Sequence, residues 1–248
     1  ITVQSVDIRD VNWFGPPMAK GKLGFLKVDC QAISNETGKA IPAIAFIRGG
    51  AVAVLTKINV LDDVGGGSQS YFLMTNQLRF PVGRYCIETP AGMVDDQHNF
   101  AGVAAKEIRE ETGITITEAD LIPLGMIYPS PGGCDEDIQL FYYEGHMTRA
   151  EFEAKQRAVY GSEEEREHIT LIFVPERKFS SALIEFGDVK GEVAYRRYGL
   201  LKKSNSRCGY GTRTKRCGIR YAGIRPEMCY MNEDTRRCRL KGRSKDPE

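Results

Sequence analysis

The chain has 248 residues, 42% hydrophobic and 27% charged, which suits a globular protein with a real core and excludes a disordered or fibrous one. No run approaches the roughly 18–20 apolar residues of a membrane-spanning helix, and the N-terminus lacks the basic start and apolar middle of a secretory signal. The formal net charge of +1 hides a division, because twelve Lys or Arg and only five Asp or Glu fall between Ser204 and Glu248, leaving +7 there and −6 on the first 203 residues.

In chain order, Ala43–Phe46 and Ala51–Leu55 read as two short strands around a tight Arg48-Gly49-Gly50 turn. Asp62–Ser70 is a Gly/Ser-rich hairpin loop leading into a strand at Tyr71–Met74, and Arg84–Thr89 is a further strand closed by Pro90. Asn99–Thr112 is the clearest helix. Asn99 suits its N-cap, Gly113 suits the left-handed residue beyond its last turn, and Ala101, Ala104, Ala105 and Ile108 recur at core-facing spacing. Ile122–Ile127 and Ile138–Tyr143 follow as strands, then a polar surface helix at Arg149–Val159 and a strand at Ile169–Val174. A closing helix begins at Phe179–Phe186 and resumes near Val193. Strands outnumber helices, which predicts an α+β domain with a mixed sheet. Trp13 is expected in the core, and His98 and His146 on the surface; His98, His146 and His168 are too scattered for a metal triad.

Cys30, Cys86 and Cys134 are spread through the acidic body, where an odd number argues against a disulfide framework and for a reducing compartment. Cys208, Cys217, Cys229 and Cys238 lie in the basic tail without a C-x2-C knuckle. The first residue is Ile, as in a fragment or a chain processed on entry to an organelle.

The chemistry concentrates in the Asn99 helix. Glu107, Glu110 and Glu111 stand at i, i+3 and i+4 and therefore share one stripe. Such bare carboxylates repel by only about 0.2–0.5 kcal/mol per pair on a helix surface, so a solvated acidic face is the plainer reading of the stripe by itself. Its setting decides otherwise. Gly92, Glu107, Ile108, Glu110, Glu111, Gly113 and Ile114 stand in the register of the Nudix box, G-x5-E-x7-R-E-U-x-E-E-x-G-U, which this segment resembles. His98 replaces the box's Glu and Lys106 its Arg, removing both ends of one pair and leaving the metal carboxylates intact.

Over roughly residues 5–203 the chain resembles the plant-type ADP-sugar diphosphatase branch of the Nudix hydrolases. The resemblance runs through Asp10–Gly15, Ala43–Gly49, Gln77–Pro81, Glu88–Gly92 and, most specifically, Tyr128–Glu136 with its Pro-Ser-Pro-Gly-Gly-Cys-Asp-Glu turn. It implies a Nudix fold, a mixed sheet sandwiched by helices, with N-terminal strands over residues 1–40 for dimerisation and substrate and a catalytic domain over 41–203; residues 204–248 have no counterpart in it and, lacking apolar periodicity, read as an irregular basic tail without its own core.

It further implies that Glu107 and Glu111 ligate Mg²⁺, with Mn²⁺ as a substitute, that Glu110 stands close by, and that the Ala91 carbonyl adds an oxygen. Arg79 and Glu88 would line the substrate pocket, together with Pro131, Gly132 and Gly133 of the turn. Glu167 would hold or deprotonate the attacking water, with Glu163, Glu164 and Glu165 as competitors. The activity implied is metal-dependent hydrolysis of ADP-glucose or ADP-ribose to AMP and a sugar phosphate by a homodimer, in a plastid or mitochondrion. A second reading makes the domain a low-activity subunit of a larger organellar assembly, anchored through a tail whose Arg and Tyr residues suit an acidic protein, a membrane surface or nucleic acid. A variant within the enzyme class acts on the 5′ end of RNA.

Overall fold

The computed structural model describes residues 1–14, 22–62, 67–94, 99–161, 167–207, 229–232 and 237–240. It divides into two compact units, Ile1–Tyr195 and Arg196–Glu248.

The first unit opens with a long antiparallel ribbon, β1 (Thr2–Phe14) on β2 (Lys22–Ile33), broken by three register shifts. The short strands β3 (Ala40–Ile41) and β4 (Ile44–Ile47) both pair with β2, completing a four-stranded sheet. The two strands expected around Arg48-Gly49-Gly50 are both present. β5 (Ala51–Leu61) does not return onto β4 but enters a second sheet, where almost every residue of it is buried on both faces. Gly49, at φ 81°, supplies the change of direction.

Trp13 departs from expectation: it is 60% exposed rather than in the core. Its strand lies at the edge of the first sheet, with Val3, Val6 and Ile8 likewise exposed.

The second sheet has eight strands. β5 pairs antiparallel with β6 (Ser68–Arg79) at one flank and parallel with β10 (Ile138–Thr148) at the other, so the sheet is mixed. Its order is β11 (Val159–Tyr160), β12 (Ile169–Pro175), β6, β5, β10, β9 (Ile122–Ile127). β5 and β6 stay paired only from Thr56↔Leu73 to Leu61↔Ser68. Beyond that they part. β7 (Arg84–Glu88) pairs with the far half of β6, and β8 (Ala91–Met93) pairs with the near half of β5, so Thr89 and Pro90 carry the chain across the opening.

α1 (Phe100–Thr112) packs Val103, Ala104 and Ile108 on Val52, Val54 and Phe141. The Asn99 side chain caps it by accepting the Gly102 N–H at 3.1 Å, and Gly113 ends it at φ 63°. α2 (Arg149–Arg157) stops short of Val159, which joins β11, and buries Phe152 with Ile58, Leu73 and Phe173. On the opposite face, the Phe72 ring stacks on Phe179 at 4.1 Å. That ring belongs to α3 (Glu176–Phe186), and Tyr195 of α4 (Val189–Arg207) meets both rings edge-on. The predicted closing helix is thus two helices, interrupted at Gly187, whose φ is 71°. Helices on both faces of a mixed sheet give the α+β sandwich expected.

Of the second unit, the structure describes the end of α4 and an antiparallel pair, β13 (Cys229–Asn232) with β14 (Arg237–Leu240). The expectations for Cys208, Cys217, His98 and Glu163–Glu165 fall outside the described residues.

Candidate active site

The carboxylate stripe of α1 is split by its neighbours. Glu111, 3% exposed, points into the opening between β7 and β8, where its Oε2 accepts the Ala91 N–H at 3.1 Å. Glu107 rests on Gly92 of β8: a Cβ at that glycine would lie 2.0 Å from the Glu107 carboxyl carbon. Glu110 turns away to Lys106 at 3.3 Å, while its backbone carbonyl accepts the Gly161 N–H. The box glycine therefore exists because a carboxylate occupies the place of its side chain.

Glu167 reaches the same opening from the start of β12, and its Oε1 accepts the Gln77 amide at 3.1 Å. Burial first, then the charges of Glu107 and Glu167, hold the Glu111 carboxyl well above the usual range; the Ala91 N–H and Arg79 pull the other way. Arg79, at the end of β6, contacts Glu88 of β7 at 2.6 Å. Burial disfavours its charge, yet Glu88, Glu111 and Glu167 together raise its pKa.

Glu88 is held on its other oxygen by Lys190 at 2.9 Å. Burial would push the Glu88 carboxyl up, but Lys190 and Arg79 prevail and keep it below its ordinary value. Lys190 also meets Asp188 at 3.2 Å, and Asp188 accepts both the backbone N–H and the hydroxyl of Thr89. The start of α4 is thereby tied to the crossing segment that carries Glu88 and Ala91.

Arg79, Glu88, Ala91, Glu107, Glu111 and Glu167 thus share one opening. Glu110 pairs with Lys106, and Pro131, Gly132 and Gly133 follow β9. Those three are exposed on a turn that docks on β4, where the Phe46 N–H donates to the Gly133 carbonyl and the Arg48 and Gly49 amides to Asp135. Gln77, Asp188 and Lys190 escaped the sequence reading. The stretch Gln77–Pro81 pointed near Gln77, but nothing in the spacing of Asp188 and Lys190 announces an ion pair with a residue about a hundred positions earlier.

By type the donors fit a hard divalent cation, which favours clustered carboxylate oxygens and would relieve the repulsion around Glu111. Among the described residues no three acidic, cysteine or histidine side chains already stand in metal-ligating geometry, so these carboxylates bear on one another through charge and not as a closed cage.

Residues 58–190 match the family model described as the NUDIX domain. The chain belongs to the Nudix family. Among its relatives, "Nudix hydrolase 14, chloroplastic" of Arabidopsis thaliana is 36% identical over 188 residues, covering 72% of this chain and 57% of that protein. An "ADP-ribose pyrophosphatase" of Bacillus subtilis is 33% identical over 124 residues, covering 50% of this chain and 60% of that one. With the "ADP-sugar pyrophosphatase" of Mus musculus, 34% identical over 66 residues, these relatives align the chain with the ADP-sugar branch of the Nudix family. The chain spans only part of the length of these relatives: 60% of the Bacillus protein, 57% of the plant protein and 30% of the mouse protein. A solved structure titled "Crystal structure of ADP compounds hydrolase" shares the fold at a TM-score of 0.51 and 14% identity, covering 84% of this chain and 99% of that one.

Proposed function

We propose that this Nudix chain hydrolyses the diphosphate bond of a nucleoside diphosphate sugar, ADP-glucose or ADP-ribose, in a Mg²⁺-dependent reaction that yields AMP and a sugar phosphate. The observation that carries the reading is Glu111: a carboxylate buried against the Ala91 amide and held at a raised pKa by burial and two other glutamates. Such a group is costly without a partner, and Glu107 and Glu111 are the residues that would hold a divalent cation, with Ala91 and Glu167 beside them and Glu110 acting through water. Bound there, the cation would neutralise the diphosphate oxygens and acidify a water.

The chain's own residues supply the rest. Arg79 offers its guanidinium to the anionic substrate and is oriented by Glu88, which Lys190 in turn holds. Glu167 takes one proton from the attacking water; the new P–O bond forms as the bond to the bridging oxygen breaks. The names of the relatives support the ADP-sugar class, and that of the plant relative supports a plastid location. The exposed apolar residues of β1 support a homodimer formed through the N-terminal sheet. The +7 tail is the element that would meet an acidic or nucleic-acid partner.

The test is phosphate-coupled hydrolysis of ADP-glucose, ADP-ribose and UDP-glucose with and without Mg²⁺, using Glu111→Gln as control. Mg²⁺-dependent turnover that the variant loses is the expected result. Folded protein that turns over none of the three would sink the hydrolase reading.

A further inference from the structure

Gln77 is a buried polar side chain at the opening to which the Nudix box assigns nothing. It stands on β6 two residues before Arg79, so both side chains leave the same face of the sheet. The residue is 7% exposed. Its Nε2 donates to Glu167 Oε1 at 3.1 Å, while its own Oε1, shut off from solvent, meets no hydrogen-bond partner among the described residues. The amide's orientation follows from chemistry: an ionised carboxylate only accepts, so the NH₂ must face Glu167 and the carbonyl must face away. A buried amide oxygen without a donor is uncommon. Packing alone does not explain the residue, because Leu or Met would fill the same volume without stranding an acceptor.

We propose that Gln77 is the positioning residue of Glu167. Its amide donates to one carboxylate oxygen and orients the side chain that receives the proton of the attacking water. The stranded Gln77 carbonyl then serves as the acceptor for a hydroxyl or water that enters with substrate. This inference rests on the reading of Glu167 as the water-activating carboxylate.

The test is a double-mutant cycle in the full chain, with ADP-ribose and ADP-glucose as substrates in Mg²⁺. Gln77→Leu is expected to lower kcat by about 10- to 100-fold, the scale of a catalytic group slightly misplaced, with KM changed less than about twofold. In a Glu167→Gln background the same substitution is expected to change kcat less than about twofold, because residues acting as one unit are not additive. An unaltered kcat in Gln77→Leu, or an equal loss in both backgrounds, overturns the proposal. A second readout needs no turnover. The side-chain NH₂ resonances that vanish in Gln77→Leu should shift in Glu167→Ala, and resonances that stay in place also overturn it. If the resonances shift but wild-type protein hydrolyses neither substrate, the hydrolase reading has failed and takes the positioning role with it.

Discussion

Glu111 is where stability and function oppose each other. A carboxyl whose pKa is raised by folding binds its proton more tightly in the native state than in the unfolded one. Its contribution to the stability of metal-free protein is therefore greatest below the ordinary value of 4.5 and is lost as pH rises above it. Glu111→Gln removes the charge and keeps an oxygen for the Ala91 N–H. Its melting temperature in EDTA should exceed that of wild type at pH 8, and the difference should shrink toward pH 4.5. Mg²⁺ should raise the melting temperature of wild type and leave the variant unmoved. A variant no more stable than wild type at pH 8 would contradict the burial of a repelled charge.

Gly92 gives the complementary prediction. An added Cβ would collide with the far end of the Glu107 side chain, at 2.0–2.5 Å, rather than with backbone. The fold can yield by moving Glu107, so Gly92→Ala should melt close to wild type yet lose about 100-fold in kcat/KM, the scale of a misplaced catalytic group. Paired melting and kinetic measurements would separate the two effects.

Among the elements, the tie between α4 and the crossing segment bears most on the site. Lys190 is half-buried between Glu88 and Asp188, and the loss of solvent, which disfavours its charge, is overcome by both carboxylates. Lys190→Met would leave the buried Asp188 without its counter-ion and Glu88 with Arg79 alone, a loss of about 3–5 kcal/mol in denaturant unfolding. Because Glu88 is depressed by folding, its share of this stability is present above the ordinary value of 4.5 and lost as pH falls through the lower folded value. Lys190, raised by folding, keeps its share until pH climbs above 10.5. A stability plateau between those limits that steepens in acid is expected from wild type and should be shallower in Lys190→Met. Elsewhere the parts are more ordinary: Asn99→Ala removes the cap of α1 and should cost about 1 kcal/mol.

For the whole molecule, charge and contact both divide the chain. An acidic body at −6 carries the carboxylate opening, and a tail at +7 follows it. Deleting residues 204–248 should leave hydrolysis within about twofold of wild type while abolishing salt-sensitive binding to polyanions, a steep salt dependence being the mark of a basic patch. Hydrolysis lost on deletion would instead make the tail part of the catalytic body. The edge strand β1 shows Val6, Ile8 and Trp13 to solvent, so replacing all three with Ser should shift a dimer toward monomer in light scattering.

Local signals carried much of this into the sequence. α1 was legible because its cap, its apolar spacing and its final glycine all act within one element, and Glu107, Glu110 and Glu111 rode on that helix. Arg79, Glu88, Ala91 and Glu167 were reachable only through resemblance, since their spacing alone names no site. Tertiary structure decided what no local pattern encodes. It sent β5 away from β4 into the centre of another sheet, left Trp13 on an edge strand, and brought Lys190 and Asp188 back to Glu88 and Thr89. It also divided one acidic stripe into two carboxylates facing β8 and one facing Lys106. The reason is physical: a helix fixes which residues share a face, but only the sheet packed against that face fixes which carboxylates lose their water, and that loss is what turns a charged stripe into a site.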